Sequence, residues 1–98
     1  MEIKKEQKYI VRAYEAGVFY GNIKEKNGNE VEMTDARCLW YWEGAASLNQ
    51  LATEGAKVPT ECKFTVAVPE ITILNVCEII PCTPQAVKII DSIPVWKR

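Results

Sequence analysis

The chain has 98 residues, the usual length of one domain, and 48% of them are hydrophobic, which is enough for a packed core. Its 12 basic and 13 acidic residues interleave and leave a net charge of −1, so the basic stripe of a double-stranded nucleic acid binder is missing. No apolar run reaches the roughly 18 residues of a membrane span, and the charged N-terminus does not resemble a signal peptide. The sequence therefore predicts one cytoplasmic domain over residues 1–98, without membrane contact and with frayed residues 1–7.

The first half of the chain predicts four strands, because β-branched and aromatic residues alternate with polar ones. We expect these strands over residues 8–14, 18–26, 30–34 and 37–42. Asn27-Gly28 is typical of a tight hairpin turn between the second and third strands. Gly21 lies inside the second strand and indicates a bulge, a sharp bend or a close backbone approach.

The strand predicted over residues 37–42 is apolar on both of its faces. Cys38, Trp40 and Trp42 share one face, and Leu39, Tyr41 and Arg37 share the other. A sheet that is covered on one side needs only one apolar face. Either both faces of this strand are covered, or a ligand or a second subunit covers one of them.

The second half predicts two helices and two strands. Ser47 and Gln50 form a capping-box pattern that starts a helix of about two turns, and Gly55 suits its end. Strands are expected over residues 63–68 and 71–80. Thr83-Pro84 starts a second helix that Pro94 ends, and we expect Val95-Trp96 to dock back onto the body.

This order predicts an α+β fold. Consecutive short strands with tight connections favour a small antiparallel, barrel-like curled sheet of about five to six strands. One short internal helix and one C-terminal helix should lie on one side of the sheet.

Catalytic and metal-binding patterns are few. The chain has no histidine, so Ser-His and Cys-His pairs are excluded, and Glu43 beside Gly44 is a solvated or capping carboxylate more readily than a general base. We expect no enzyme activity and no cofactor. The four cysteines fit reduced, buried side chains better than an all-cysteine zinc site; they are Cys38, Cys62, Cys77 and Cys82.

Binding is the better prediction, and Arg37 is its most suggestive polar residue. A guanidinium can hold a phosphate through two parallel hydrogen bonds, although an arginine stacked on tryptophan or paired with Asp35 or Glu32 is the alternative. Aromatic rings of the same strand could stack on a base or sugar, unless they belong to the core. A helix N-terminus attracts phosphate, although the capping box should occupy its N–H groups. The candidate ligand-binding residues are Arg37, Trp40, Tyr41, Trp42, Ser47, Gln50 and Arg12.

Several segments carry a family resemblance over roughly residues 8–96. They are residues 17–23, Asn27-Gly28, 30–37, 39–48, 50–52, 62–65 and 78–83, with Leu39 to Ala52 the most specific part. The chain resembles small bacteriophage- and prophage-encoded proteins of unknown function. The resemblance implies a phage accessory protein in the cytoplasm of an infected bacterium, and it carries over no catalytic residue.

Two functions follow as hypotheses. The first is a non-catalytic, homo-oligomeric binder of a nucleotide-type small molecule, which could sequester a nucleotide immune signal. The alternative is a protein-interaction module that inhibits a host protein or assists phage replication or assembly. Single-stranded nucleic acid binding is a weaker third option, because the basic excess that it needs is missing.

Overall fold

The computed structural model describes residues 1–98 as six β-strands, two α-helices and one short 3₁₀-helix. The strands are β1 (Lys8–Ala13), β2 (Gly17–Asn27), β3 (Glu30–Tyr41), β4 (Lys63–Phe64), β5 (Val68–Ile73) and β6 (Val76–Pro81). The α-helices are α1 (Leu48–Glu54) and α2 (Pro84–Ser92), and the 3₁₀-helix is Pro59–Glu61. Neither α-helix has the length and apolar run that crossing a membrane requires.

All six strands pair antiparallel in one sheet with the order β4-β3-β2-β1-β6, and β5 also pairs with β3. Only Leu74 and Asn75 join β5 to β6, although β5 pairs with β3 and β6 pairs with β1, two strands that β2 separates. The Val76 N–H then donates to the Asn29 carbonyl at 2.9 Å, beside the β2–β3 turn. The sheet is therefore strongly curled but not closed, and the predicted α+β class with an antiparallel sheet is confirmed.

Both strands predicted in the second half of the chain have the wrong bounds, and a left-handed backbone conformation at Asn75 explains one of the differences. Residues 71–80 were expected to form one strand, but Asn75 has φ of 57°, and the chain bends there between β5 and β6. The strand expected over 63–68 is reduced to the two residues of β4, while Val68 and Pro69 belong to β5. Pro69 is tolerated because β5 is an edge strand that pairs only with β3.

Asp35 does not separate two strands as predicted; it forms a bulge inside β3. Tyr20 pairs with Arg37 and Asn22 pairs with Thr34, so β3 carries one residue more than β2 at this point. Asp35 adopts φ of 51°. The extra residue shifts the alternation of β3 by one, which changes the face on which each following side chain lies.

The two sides of the sheet pack into two separate cores. The first core lies between the sheet and both α-helices and includes Leu39, Leu51, Phe64 and Ile90. The second core lies within the curl of the sheet and includes Val11, Phe19, Met33 and Ile73. Alternate residues of β3 therefore point into different cores. The apolar residues on both faces of the 37–42 segment largely reflect these two cores. Only Trp40 and Tyr41, which are exposed, need another explanation.

Part of the N-terminal segment contacts the body of the domain. Ile3 packs against the second core. The Gln7 side-chain amide donates to the carbonyls of Lys8 and Cys82, both at 2.7 Å. These contacts attach residues 3–7 to the sheet.

Gly21→Ala should test the close approach at the bulge. A Cβ atom on Gly21 would lie 2.8 Å from the Asp35 carbonyl oxygen and 2.9 Å from that of Thr34. Because backbone atoms cannot move aside as a flexible side chain can, we expect the free energy of unfolding to fall by about 2 kcal/mol in urea denaturation. Glu25→Ala, at an exposed position of the same strand, is the control, because an alanine at Gly17 would be strained by the φ of 103° there. An unchanged Gly21→Ala midpoint would contradict this packing.

Candidate aromatic binding surface

The exposed end of β3 carries an aromatic cluster around one lysine. Trp40 is 61% exposed and stacks on Trp96, with ring centroids 5.1 Å apart and an interplanar angle of 21°. The Lys63 ammonium lies 5.3 Å from the Trp40 centroid, 5.9 Å from that of Tyr41 and 5.7 Å from that of Trp96. At these distances the ring faces attract the cation. We call Trp40, Tyr41, Lys63 and Trp96 the aromatic surface.

Three segments that are distant in the sequence build this surface. Strand β4 pairs with the end of β3, which places Lys63 opposite Tyr41. The residues after α2 return to β4, where Val95 forms an isolated parallel bridge with Phe64. The Trp96 N–H donates to the Phe64 carbonyl at 2.8 Å. The backbone thereby fixes where the Lys63 and Trp96 side chains start.

Most of the exposed large apolar side chains belong to a few segments of the chain. Six of the nine large apolar residues that are exposed belong to β3, to the segments that follow its far end, or to the C-terminal segment. They are Trp40, Tyr41, Val58, Val66, Val68 and Val95. Of these six residues, Trp40 and Tyr41 belong to the aromatic surface.

The charges near this surface have both signs. The Tyr41 hydroxyl donates to a Glu43 carboxylate oxygen at 2.6 Å, and this hydrogen bond raises the pKa of Tyr41. Glu61 is exposed two positions before Lys63. Neither Glu61 nor Lys63 takes part in an ion pair; the three ion pairs of the chain are Lys8–Asp35, Arg12–Glu78 and Lys24–Glu70. Lys63 has aromatic rings around it in place of a carboxylate.

Arg37 lies beneath the surface rather than on it. It is 8% exposed, and its guanidinium lies 5.6 Å from the Phe64 ring centroid. It donates four hydrogen bonds at 2.9–3.3 Å, all to main-chain carbonyls, which belong to Thr65, Ile90, Phe64 and Pro94. These bonds use four of the five N–H donors of an arginine. Burial lowers the pKa of Arg37, while the Asp91 carboxylate acts in the opposite direction.

The predicted roles of Arg37 need correction. It stacks on Phe64 rather than on a tryptophan, and it forms no ion pair with Asp35 or Glu32. With its donors occupied, it does not present a free two-pronged phosphate clamp. It instead joins the end of α2 to the segment after β4.

The other predicted binding residues do not all join the aromatic surface. Trp42 is partly buried against the first core. The Ser47 hydroxyl accepts from the Gln50 N–H at 3.1 Å, which confirms the predicted N-cap. The Gln50 side chain accepts from the Ala46 N–H at 2.8 Å, one residue before the position that a capping box uses. Arg12 donates to Glu78 at 2.9 Å across β1 and β6. Only Trp40 and Tyr41 of the predicted set lie on the aromatic surface.

All four cysteines are free thiols, but their burial differs from the prediction. Cys62 and Cys82 are buried, Cys38 is half-buried, and Cys77 is exposed. Burial raises the pKa of Cys82 to about 12, which keeps that thiol protonated at neutral pH. No group of three or more His, Cys, Asp or Glu side chains is arranged to hold a metal ion.

The fold and this surface define a small α+β domain with an exposed aromatic and cationic cluster. The family described as a domain of unknown function, DUF6948, matches residues 6–90, and the chain belongs to that family. Comparison with curated proteins gave no match, and comparison with solved structures gave none.

Proposed function

We propose that this chain is a non-catalytic phage accessory protein that binds a nucleotide-type small molecule on its aromatic surface. By holding a nucleotide immune signal in the host cytoplasm, the protein would remove that signal from solution. The observation that carries the proposal is the exposed Trp40–Trp96 stack with the Lys63 ammonium beside it. A ring face and a cation at one place match the two parts of a nucleotide, its base and its phosphate.

The exposure of Trp40 supports this proposal. Trp96 stacks on the Trp40 indole, and Trp40 as a residue is 61% exposed, so a planar group in solution could reach it. Stacking of one base on an aromatic side chain contributes about 1–3 kcal/mol. Lys63 forms no ion pair with a carboxylate, so a phosphate would not have to displace one from its ammonium group. Phage origin is supported by the resemblance of residues 39–52 to phage-encoded proteins.

A thermal-shift screen with cyclic mono- and dinucleotides and with nucleotide–ribose compounds tests the proposal, followed by calorimetry on any nucleotide that binds. Trp40→Ala should weaken binding about ten- to a hundredfold, because it removes the stacking face. Tyr14→Ala is the matched control, since Tyr14 is 80% exposed and belongs to the β1–β2 turn. An equal loss in both variants, or no shift with any nucleotide, would reject the proposal.

The exposed valines favour a second candidate function, binding to a host or phage protein. Val66 is 56% exposed and Val95 is 48% exposed, and aliphatic side chains suit a protein interface better than a nucleotide. Val66→Asp should then abolish capture of the partner protein while leaving nucleotide binding unchanged. Nucleotide binding without any valine-dependent capture would favour the first function.

A further inference from the structure

A fixed carboxylate borders the aromatic surface at Tyr41. The Tyr41 hydroxyl donates to a Glu43 carboxylate oxygen at 2.6 Å, which uses one of the roughly four lone-pair sites of a carboxylate. The Glu43 main chain is held as well, because its carbonyl accepts from the Val58 N–H at 3.4 Å. Glu43 is exposed and forms no ion pair, so its remaining acceptor sites stay open to a ligand.

A shift in the strand pairing places the rings of Trp40 and Tyr41 beside the same cation. The pairing of β3 with β4 shifts by one residue between Leu39 and Tyr41, which leaves Trp40 as an extra residue in β3. The Lys63 ammonium lies 5.3 Å from the Trp40 centroid and 5.9 Å from that of Tyr41, although neighbours in a regular strand point to opposite faces. A purine stacked on Trp40 is about as wide as the indole beneath it. Its edge can therefore extend past the ring toward Tyr41 and Glu43.

Guanine is the base whose edge matches a carboxylate. Its Watson–Crick edge has two adjacent donors, the N1–H and the N2 amino group, and the two oxygens of a carboxylate accept both. Adenine and cytosine each present one donor beside an acceptor nitrogen, which sets a lone pair against the carboxylate. The same carboxylate repels a phosphate, which the Lys63 ammonium attracts. The two ends of a guanine nucleotide therefore match different parts of the surface.

We propose that Glu43 selects a guanine nucleotide on the aromatic surface by accepting hydrogen bonds from the N1–H and the N2 amino group of the base. The inference rests on the proposed function and names its ligand class. Trp40 supplies the stacking face, Lys63 meets the phosphate, and Glu43 reads the edge of the base. Tyr41 is a positioning residue, because its hydroxyl orients the carboxylate.

Calorimetry on the full chain with cyclic GMP as the probe, and cyclic AMP and cyclic IMP as comparisons, tests the inference. We expect cyclic GMP to bind about ten- to a hundredfold more tightly than cyclic AMP. Cyclic IMP keeps the N1–H but lacks the N2 amino group, so its affinity should lie between the two. Equal affinity for cyclic GMP and cyclic AMP would overturn the inference and leave the proposed function standing. If none of the three binds, the inference fails, and the wider nucleotide screen decides the proposed function separately.

Glu43→Gln tests the carboxylate itself. The amide oxygen of glutamine still accepts from the Tyr41 hydroxyl, but its N–H groups oppose the guanine donors. We expect cyclic GMP binding to weaken about tenfold and cyclic AMP binding to stay the same or improve, since a carboxamide pairs with adenine. Glu25→Gln makes the same change at an exposed position in β2 that forms no ion pair, and it should leave both affinities unchanged. Equal weakening in both variants, or an unchanged preference for cyclic GMP in Glu43→Gln, would overturn the role of Glu43.

Discussion

Arg37→Met is expected to lower the free energy of unfolding by about 3 kcal/mol in urea denaturation. Hydrogen bonds from a charged donor contribute about 1.5–3 kcal/mol each, and four main-chain carbonyls lose such a donor in this variant. The loss is smaller than the sum because methionine avoids the desolvation of a buried guanidinium. Since Arg37 is 8% exposed, water can replace its hydrogen bonds only if the segment around it opens.

Arg12→Met is the matched control for Arg37→Met. Arg12 lies on the outside of the sheet and pairs with Glu78 in an exposed ion pair, which contributes little to stability. We therefore expect its urea midpoint to stay close to that of the unmodified chain. Equal midpoints for the two variants would show that the Arg37 hydrogen bonds do not hold the fold together. Full stability of Arg37→Met with complete loss of nucleotide binding would instead support a direct ligand contact.

Much of the fold could be predicted because its signals are local. The Asn27-Gly28 turn, the Ser47 cap and the Thr83-Pro84 helix start each depend on residues within one turn of each other. The continuity of β3 through Asp35 has no such local signal, because it depends on pairing with β2 and β5 on either side. In the sequence, Asp35-Ala36 is equally consistent with a break between two strands and with a bulge inside one strand.

The candidate site could be predicted only in part, for a related reason. Trp40 and Tyr41 were identifiable because their strand is apolar on both faces. Lys63 and Trp96 reach the same surface through the β3–β4 pairing and the return of the C-terminal segment, and neither contact has a local pattern. Arg37 was identified as a functional candidate because an arginine among aromatic residues can bind a ligand. The same pattern also fits a buried arginine that donates hydrogen bonds to the main chain. Burial of the guanidinium against main-chain carbonyls distinguishes these two roles, and the sequence does not show it.

Arg37 and Phe64 together connect the stability of the chain to the aromatic surface. The Phe64 carbonyl accepts from the Arg37 guanidinium at 3.1 Å and from the Trp96 N–H at 2.8 Å. Arg37 also donates to the Pro94 carbonyl at 3.3 Å. The position of Trp96 on Trp40 therefore depends on buried contacts rather than on the stacked rings alone. We therefore expect Arg37 to position the C-terminal segment rather than to contact a ligand.

Phe64→Ala is expected to lower the free energy of unfolding by about 4 kcal/mol and to loosen the Trp40–Trp96 stack. Phe64 is fully buried in the first core, so truncation leaves a cavity beneath the guanidinium of Arg37. A domain of this size has about 5–15 kcal/mol of stability in total, so the variant would be near its folding limit. Urea denaturation measures the first effect, and near-ultraviolet circular dichroism of the tryptophans under native conditions measures the second.

Two further variants separate these effects. Phe64→Leu keeps most of the buried volume, so we expect it to cost less than about 1.5 kcal/mol and to preserve the tryptophan signal. Tyr14→Ala removes an aromatic ring that is 80% exposed and should change neither measurement. If Phe64→Ala lost stability but kept the tryptophan signal of the unmodified chain, the stack would be independent of the core. The same signal lost in both Phe64→Ala and Trp96→Ala, but kept in Phe64→Leu, would show that the first core fixes the aromatic surface through the C-terminal segment.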